Sequence, residues 1–254
     1  MSDYEHPYET VNLPSGGRFY PEGHPLRYGT IDIKYLTAKE EDILTSTNLI
    51  SKGLVFDKLL DSIIMTKWED GKRIKVEDIL IGDIDAILVS ARVLAYGKAY
   101  SVQNTCPQCG ATVPVNVDLS SLDSKEVNVG EVSEEGTFDF KLNESITVTL
   151  RLLTRGDEKR YKKELKSLDE RHLPTTEITS RLRSIVVAVN GDTDRSVINE
   201  FCTNMLISDS RKLREYYAEV VPGIDFKYDF PCQNCRAESE GWVAVGPNFF
   251  WPDL

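Results

Sequence analysis

Thr105-Cys106-Pro107-Gln108-Cys109-Gly110-Ala111 and Pro231-Cys232-Gln233-Asn234-Cys235-Arg236-Ala237 decide how this chain folds. Each stretch holds two cysteines separated by two residues, and together they use four of the five cysteines. A soft metal ion takes about four ligands at tetrahedral corners, and a two-residue spacer lets one tight turn supply two of them. Each pair also lies between strand-like segments. Val102 precedes the first pair, and Val113, Val115 and Val117 alternate after it. Phe226, Tyr228 and Phe230 alternate before the second, and Trp242 to Val245 follow it. Strand, knuckle and strand are thus written twice.

This is the layout of a zinc ribbon, with Cys106, Cys109, Cys232 and Cys235 as ligands of one structural zinc ion. The spacing departs from a compact ribbon. Between the pairs lie 122 residues, against about 15–20 in a compact four-cysteine site. Loop-closure entropy grows slowly with length, so a metal clasp remains feasible. Other readings fit less well. A redox dithiol needs a cysteine at a helix N-terminus, and neither pair opens a helical pattern. A catalytic zinc keeps one position open and uses about three protein ligands. Cys202 lies on the apolar face of a helical segment and reads as core.

Outward from the cysteines, the expected fold class is α+β. It comprises an N-terminal helical region and a zinc-ribbon-like β module, interrupted by a mainly helical insertion. Residues 1–36 read as an extended N-terminal arm, because Leu13-Pro14-Ser15-Gly16-Gly17-Arg18-Phe19-Tyr20-Pro21 carries prolines and glycines that support no helix. Within it Ile31, Ile33 and Tyr35 alternate as a short strand. Residues 37–99 read as helical. Thr37-Ala38-Lys39-Glu40 is a capping box, and the helix it starts runs to about Ser51, with Gly53 as its stop. Phe56, Leu59, Leu60, Ile63 and Ile64 then share one helical face. A further helix spans about Asp83 to Tyr96. The β module takes residues 100–153 and 224–246, with Ser120 to Gly136 as a loop and Ile146, Val148, Leu150 and Leu152 as a strand. Residues 154–223 form the insertion, with helices around Tyr161, Leu182 to Val189, Ile198 and Tyr217. Lys159, Arg160, Lys162, Lys163 and Lys166 there alternate with acids, as a solvated helix face does. Residues 247–254 form an aromatic C-terminal tail without periodicity.

The 254 residues carry a formal charge of -11, which disfavours phosphate backbones and anionic membranes as partners. Residues 155–219 hold 13 basic and 12 acidic side chains, so the negative excess lies elsewhere. No apolar run reaches the roughly 18 residues needed to cross a bilayer. The first residues lack a signal peptide's basic and apolar parts. The expectation is a chain made in a reducing cytosol, where paired cysteines more often mean metal than disulfide. The three histidines, His6, His24 and His172, form no metal-pair or nucleophile pattern, and no GxxxxGK[ST] phosphate loop occurs. No catalytic residues and no small-molecule substrate are expected.

Several blocks then resemble one family. They are the Leu13–Pro21 stretch, Leu36-Thr37-Ala38-Lys39-Glu40-Glu41-Asp42-Ile43-Leu44, Asp57-Lys58-Leu59-Leu60-Asp61, the paired cysteine units, and the closing Gly246-Pro247-Asn248-Phe249-Phe250-Trp251-Pro252. Together these resemble the baseplate hub subunit or hub-assembly proteins of T-even-like contractile-tail bacteriophages, over most of the chain. The resemblance implies a non-enzymatic structural or assembly role in the virion's tail baseplate, assembled in the host cytoplasm. The implied partners are other baseplate and tail proteins. Phe19, Tyr20, Phe249, Phe250 and Trp251 are candidate partner contacts, because exposed aromatics supply anchor area; their other reading is packing on their own domain. The alternative function is a zinc-ribbon module that contacts nucleic acid, which the acidic balance disfavours.

Overall fold

A computed structural model describes residues 7–250, so Trp251 lies outside the described residues. The fold is α+β, built from helices and small antiparallel sheets. Strands β1 (Tyr8–Asn12) and β2 (Thr30–Lys34) form a hairpin, with Tyr8 opposite Lys34 and Asn12 opposite Thr30. The loop between them turns inward. Leu13, Phe19, Tyr20 and Leu26 are buried with Ile31 and Ile33. Gly17 makes this possible: its φ is +77°, and a Cβ there would meet the Arg27 carbonyl oxygen at 2.3 Å. The stretch expected as an extended arm is therefore a hairpin with an interior loop.

Helix α1 (Ala38–Thr45) starts at the expected capping box, where the Thr37 amide donates to Glu40 Oε2 at 2.9 Å. Chain direction changes at Ser46, whose backbone is extended, so the single helix expected to Ser51 is two, with α2 at Thr47–Ser51. Helices α3 (Val55–Ile63) and α4 (Ile81–Tyr96) follow and bury most of the apolar faces expected of them, with Phe56 and Leu94 half-buried and Ala95, in the last turn of α4, exposed. Two cysteine-bearing hairpins come next in the architecture. They are β3 (Ala99–Thr105) with β4 (Thr112–Asp118), and β8 (Lys227–Pro231) with β9 (Glu238–Trp242). The last strand lies earlier than the Trp242–Val245 run suggests: it ends at Trp242, the Val243 amide makes one more bond to the Phe226 carbonyl at 2.9 Å, and the Val243 side chain is buried in the main core.

A three-stranded sheet joins β5 (Thr137–Lys141), β6 (Thr147–Arg151) and β7 (Val186–Val189), all antiparallel. Sequence periodicity assigned Val186–Val189 to a helix. It is a strand because three valines in a row of four suit a pleated edge, and β6 offers that edge. The sheet crosses the boundary expected at residues 153 and 154. Around it lie α5 (Arg155–Glu170), α6 (Glu177–Ile185), α7 (Arg195–Asn204) and α8 (Ile207–Val220). Arg155 and Lys159 on α5 pair with the buried Asp57 on α3 at 2.9 and 3.2 Å, so part of the basic face expected in solvent grips the N-terminal helices. Side chains from the β1–β2 hairpin, α4, the three-stranded sheet, α6 to α8 and the 3-10 turn at Pro247–Phe250 share one hydrophobic core. Among the described residues, no helix is long and apolar enough to cross a membrane.

Candidate metal centre

Both cysteine turns have the same backbone. In the first, the Cys106 amide donates to the Ala111 carbonyl and the Gly110 amide to the Cys106 carbonyl, each at 2.9 Å. In the second, Cys232 donates to Ala237 at 2.9 Å and Arg236 to Cys232 at 2.8 Å. Gly110 and Arg236 hold matching positions with φ of +70° and +60°. Such a left-handed residue reverses the chain and turns following amides toward the sulfurs. Glycine adopts it freely, whereas arginine does so only at some strain.

The two turns meet. Cys106 Sγ lies 3.7 Å from Cys235 Sγ, and Cys109 Sγ lies 3.7 Å from Cys232 Sγ. All four sulfurs fall within 4.8 Å of one another. A disulfide would bring two of them to about 2.05 Å, and all are free thiols. Metal–sulfur bonds of about 2.3 Å at tetrahedral corners give sulfur–sulfur edges of about 3.8 Å. The donor set and its spacing therefore fit a tetrahedral thiophilic ion.

Electrostatics point the same way. The Cys109 amide, then burial's opposing effect and the Gln108 amide, leave the Cys106 thiol below its ordinary value. Cys109 is held down to about 6, first by the Asn234 side-chain amide and then by the Ala111 N–H. Asn234 Nδ2 lies 3.4 Å from that sulfur. Cys235 behaves oppositely. The Ala237 amide favours its thiolate, but burial and the surrounding sulfurs push it up to about 12. Four thiolates this close repel one another, and a cation is what lets all four ionise.

A small satellite core supports the sulfurs. Cys106, Val113, Phe230 and Cys232 are buried together, while Cys109 and Cys235 face solvent. The hairpins also touch through the side chains of Asn104 and Tyr228 and through Gln233 Nε2 to the Pro114 carbonyl at 3.4 Å. Tyr228 leans across Gly241, where a Cβ would lie 2.5 Å from its ring. Reading the sequence alone passed over Asn234 and Gln233. They occupy the two spacer positions of the second pair, and nothing in a spacer says which way its side chain turns.

The aromatic candidates lie elsewhere. Phe19 packs edge-on against Phe138, with ring centroids 5.7 Å apart. The Tyr20 hydroxyl donates to Asp83 Oδ2 at 2.7 Å. Phe249 and Phe250 are both 0% exposed, against Tyr100 and Phe56 respectively. The Phe249 carbonyl accepts from the buried Arg92 Nε at 3.0 Å. These four rings are part of the protein's own core, so none stands exposed as a partner anchor. Cys202 is buried on α7, as its helical position predicted.

No curated protein and no solved structure gives a significant match to this sequence. A family model described as T4 bacteriophage base plate protein matches residues 6–251, and the chain belongs to that family.

Proposed function

We propose that this protein is a non-enzymatic structural or assembly component of the hub region of a contractile phage tail, with its two hairpins clasped by one structural zinc ion. Membership of the base plate family over nearly the whole chain carries the reading. Four sulfurs within 4.8 Å of one another support the metal. Zinc fits because thiolates select it over harder cations, and because four protein ligands leave no position open for substrate. The ligands are Cys106, Cys109, Cys232 and Cys235, and the ion would supply positive charge and cross-linking rather than Lewis-acid catalysis. Its partners are other base plate and tail proteins, and its place is the virion's tail base plate.

Two measurements test this. Metal analysis of the purified chain should find one zinc per molecule, and Cys106→Ser should lose it while Cys202→Ser keeps it. A metal-free native protein would falsify the zinc clasp. Cross-linking mass spectrometry of tails should join this chain to hub-region proteins; cross-links confined to the base plate periphery would sink the hub assignment.

A further inference from the structure

Between residues 22–32 and 66–69 runs an open groove of about 650 Å³. One wall is the outer edge of β2. There the Asp32 carbonyl accepts from the Met65 amide, and the Asp32 amide donates to the Thr66 hydroxyl, both at 2.8 Å. Alternate residues of an antiparallel strand point their N–H and C=O groups to the same side. Thr30, two residues earlier, therefore presents its backbone groups to this side as well. The neighbouring segment has turned away by then, since Lys67 bridges to Arg73 instead. Among the described residues, no backbone hydrogen bond reaches Thr30 from this side, so the sheet edge is open there.

His24 forms part of the groove lining and is 6% exposed. Its Nδ1 accepts from the Leu26 amide at 3.1 Å, which assigns the neutral ring's proton to Nε2. That Nε2 has no hydrogen-bond partner among the described residues. Tyr20 stacks on the ring and Trp68 meets it edge-on, each with centroids 4.7 Å away, so the ring is fixed in place. A fixed donor buried without an acceptor is destabilising unless something supplies the acceptor. The rim carries three carboxylates, Glu22, Asp32 and Glu69. Its cations are Lys67 and Arg27, so the rim carries a net charge of -1. The Arg27 guanidinium is turned to the Arg18 and Tyr20 carbonyls, and the Asp32 carboxylate accepts from the Thr10 hydroxyl, which leaves Glu22 and Glu69 as the carboxylates free, among the described residues, to meet a ligand.

We propose that this groove takes an extended segment of a partner protein bearing basic side chains, added as a short strand to β2 at Thr30. Backbone hydrogen bonds would give affinity, and the acidic rim would select the charge. The site is separate from the cysteine cluster and does not depend on metal.

The test uses the full chain, isotope-labelled for NMR. The probes are capped heptapeptides of Val and Thr with Lys at alternate positions, and matched peptides with Glu in place of Lys. Lys peptides should shift the Thr30 amide and the His24 ring signals, and Glu peptides should not. N-methylating alternate peptide amides in one register should weaken binding by about tenfold, the scale of losing one or two hydrogen bonds. The other register should be tolerated. Glu22→Gln with Glu69→Gln should weaken Lys-peptide binding several-fold and flatten its salt dependence without changing Tm, because both side chains are exposed. Silence of the Thr30 and His24 signals at millimolar peptide overturns the proposal. So does equal binding of Glu peptides, or indifference to both N-methyl registers.

Discussion

Asp83 is buried, and its carboxylate accepts from the Ser15 amide at 2.9 Å, the Ser15 hydroxyl at 2.8 Å and the Tyr20 hydroxyl at 2.7 Å. No ion pair joins it to a cation among the described residues, and burial raises its pKa. The Tyr20 hydroxyl also accepts from the Leu80 amide at 3.0 Å. Tyr20→Phe keeps the ring but strands an amide and part of a carboxylate in the interior. It should cost about 2–4 kcal/mol in urea unfolding; a loss under half a kcal/mol would mean that the network is idle. Asp85, two residues along α4, offers a test against pH. Burial first, with Glu158 adding and Lys125 and Arg155 opposing, lifts its pKa to about 6. Its folded value lies above the unfolded value of about 3.9, so the folded state holds the proton more tightly. Asp85 therefore detracts from stability at neutral pH, and that penalty disappears as pH falls from about 6 to about 4. Asp85→Asn should gain about 1–2 kcal/mol at pH 8, discounted for partial exposure, and nothing at pH 4. A gain of equal size at both pH values would refute the assignment.

The elements differ in how far the sequence exposed them. Helix α4 and the cysteine turns were legible because their signals are local: an apolar stripe over 16 residues, and paired cysteines two residues apart. Strand β7 was not, since Val186 to Val189 continue the apolar spacing of α6 and only pairing with β6 distinguishes them. The burial of Phe19, Tyr20, Phe249 and Phe250 was illegible for a related reason. Loops and 3-10 turns have no period to read, and the partners of these rings are Phe138, Asp83, Tyr100 and Phe56, all far away in sequence. The terminal 3-10 turn at Pro247–Phe250 is thus a core element. Phe249→Ala should destabilise the fold by about 3–5 kcal/mol, the usual loss for a buried phenylalanine. Truncation after Gly246 should be more severe, because it also removes the carbonyl that the buried Arg92 bonds. Thermal unfolding of the variants checks both, and a truncated chain with native Tm would show the turn to be dispensable.

On the scale of the whole molecule, the described residues form two hydrophobic cores, and these separate what a metal ion at the four sulfurs would hold from what it would not. The main core takes side chains from both ends of the chain and from the segment between the cysteine pairs, including Leu60, Ile87, Leu150, Ile198, Leu213 and Phe250. It closes the 122-residue excursion by itself, because burying apolar area on that scale outweighs the slowly growing closure entropy. The satellite core at the hairpin tips has only Cys106, Val113, Phe230 and Cys232 as buried members. Too little apolar surface gathers there to keep the two tips together once the bonds from the sulfurs to a shared ion are gone. Removing the ion should therefore open the tips and leave the rest folded. After chelation, amide exchange should quicken at residues 104–113 and 229–238 while α4 and α8 stay protected, and far-ultraviolet circular dichroism should keep its helical signal. Re-adding zinc should restore protection at the tips. Global loss of protection on chelation would mean that the metal organises the whole fold, and unchanged exchange at the tips would mean that the sulfurs need no ion to stay together.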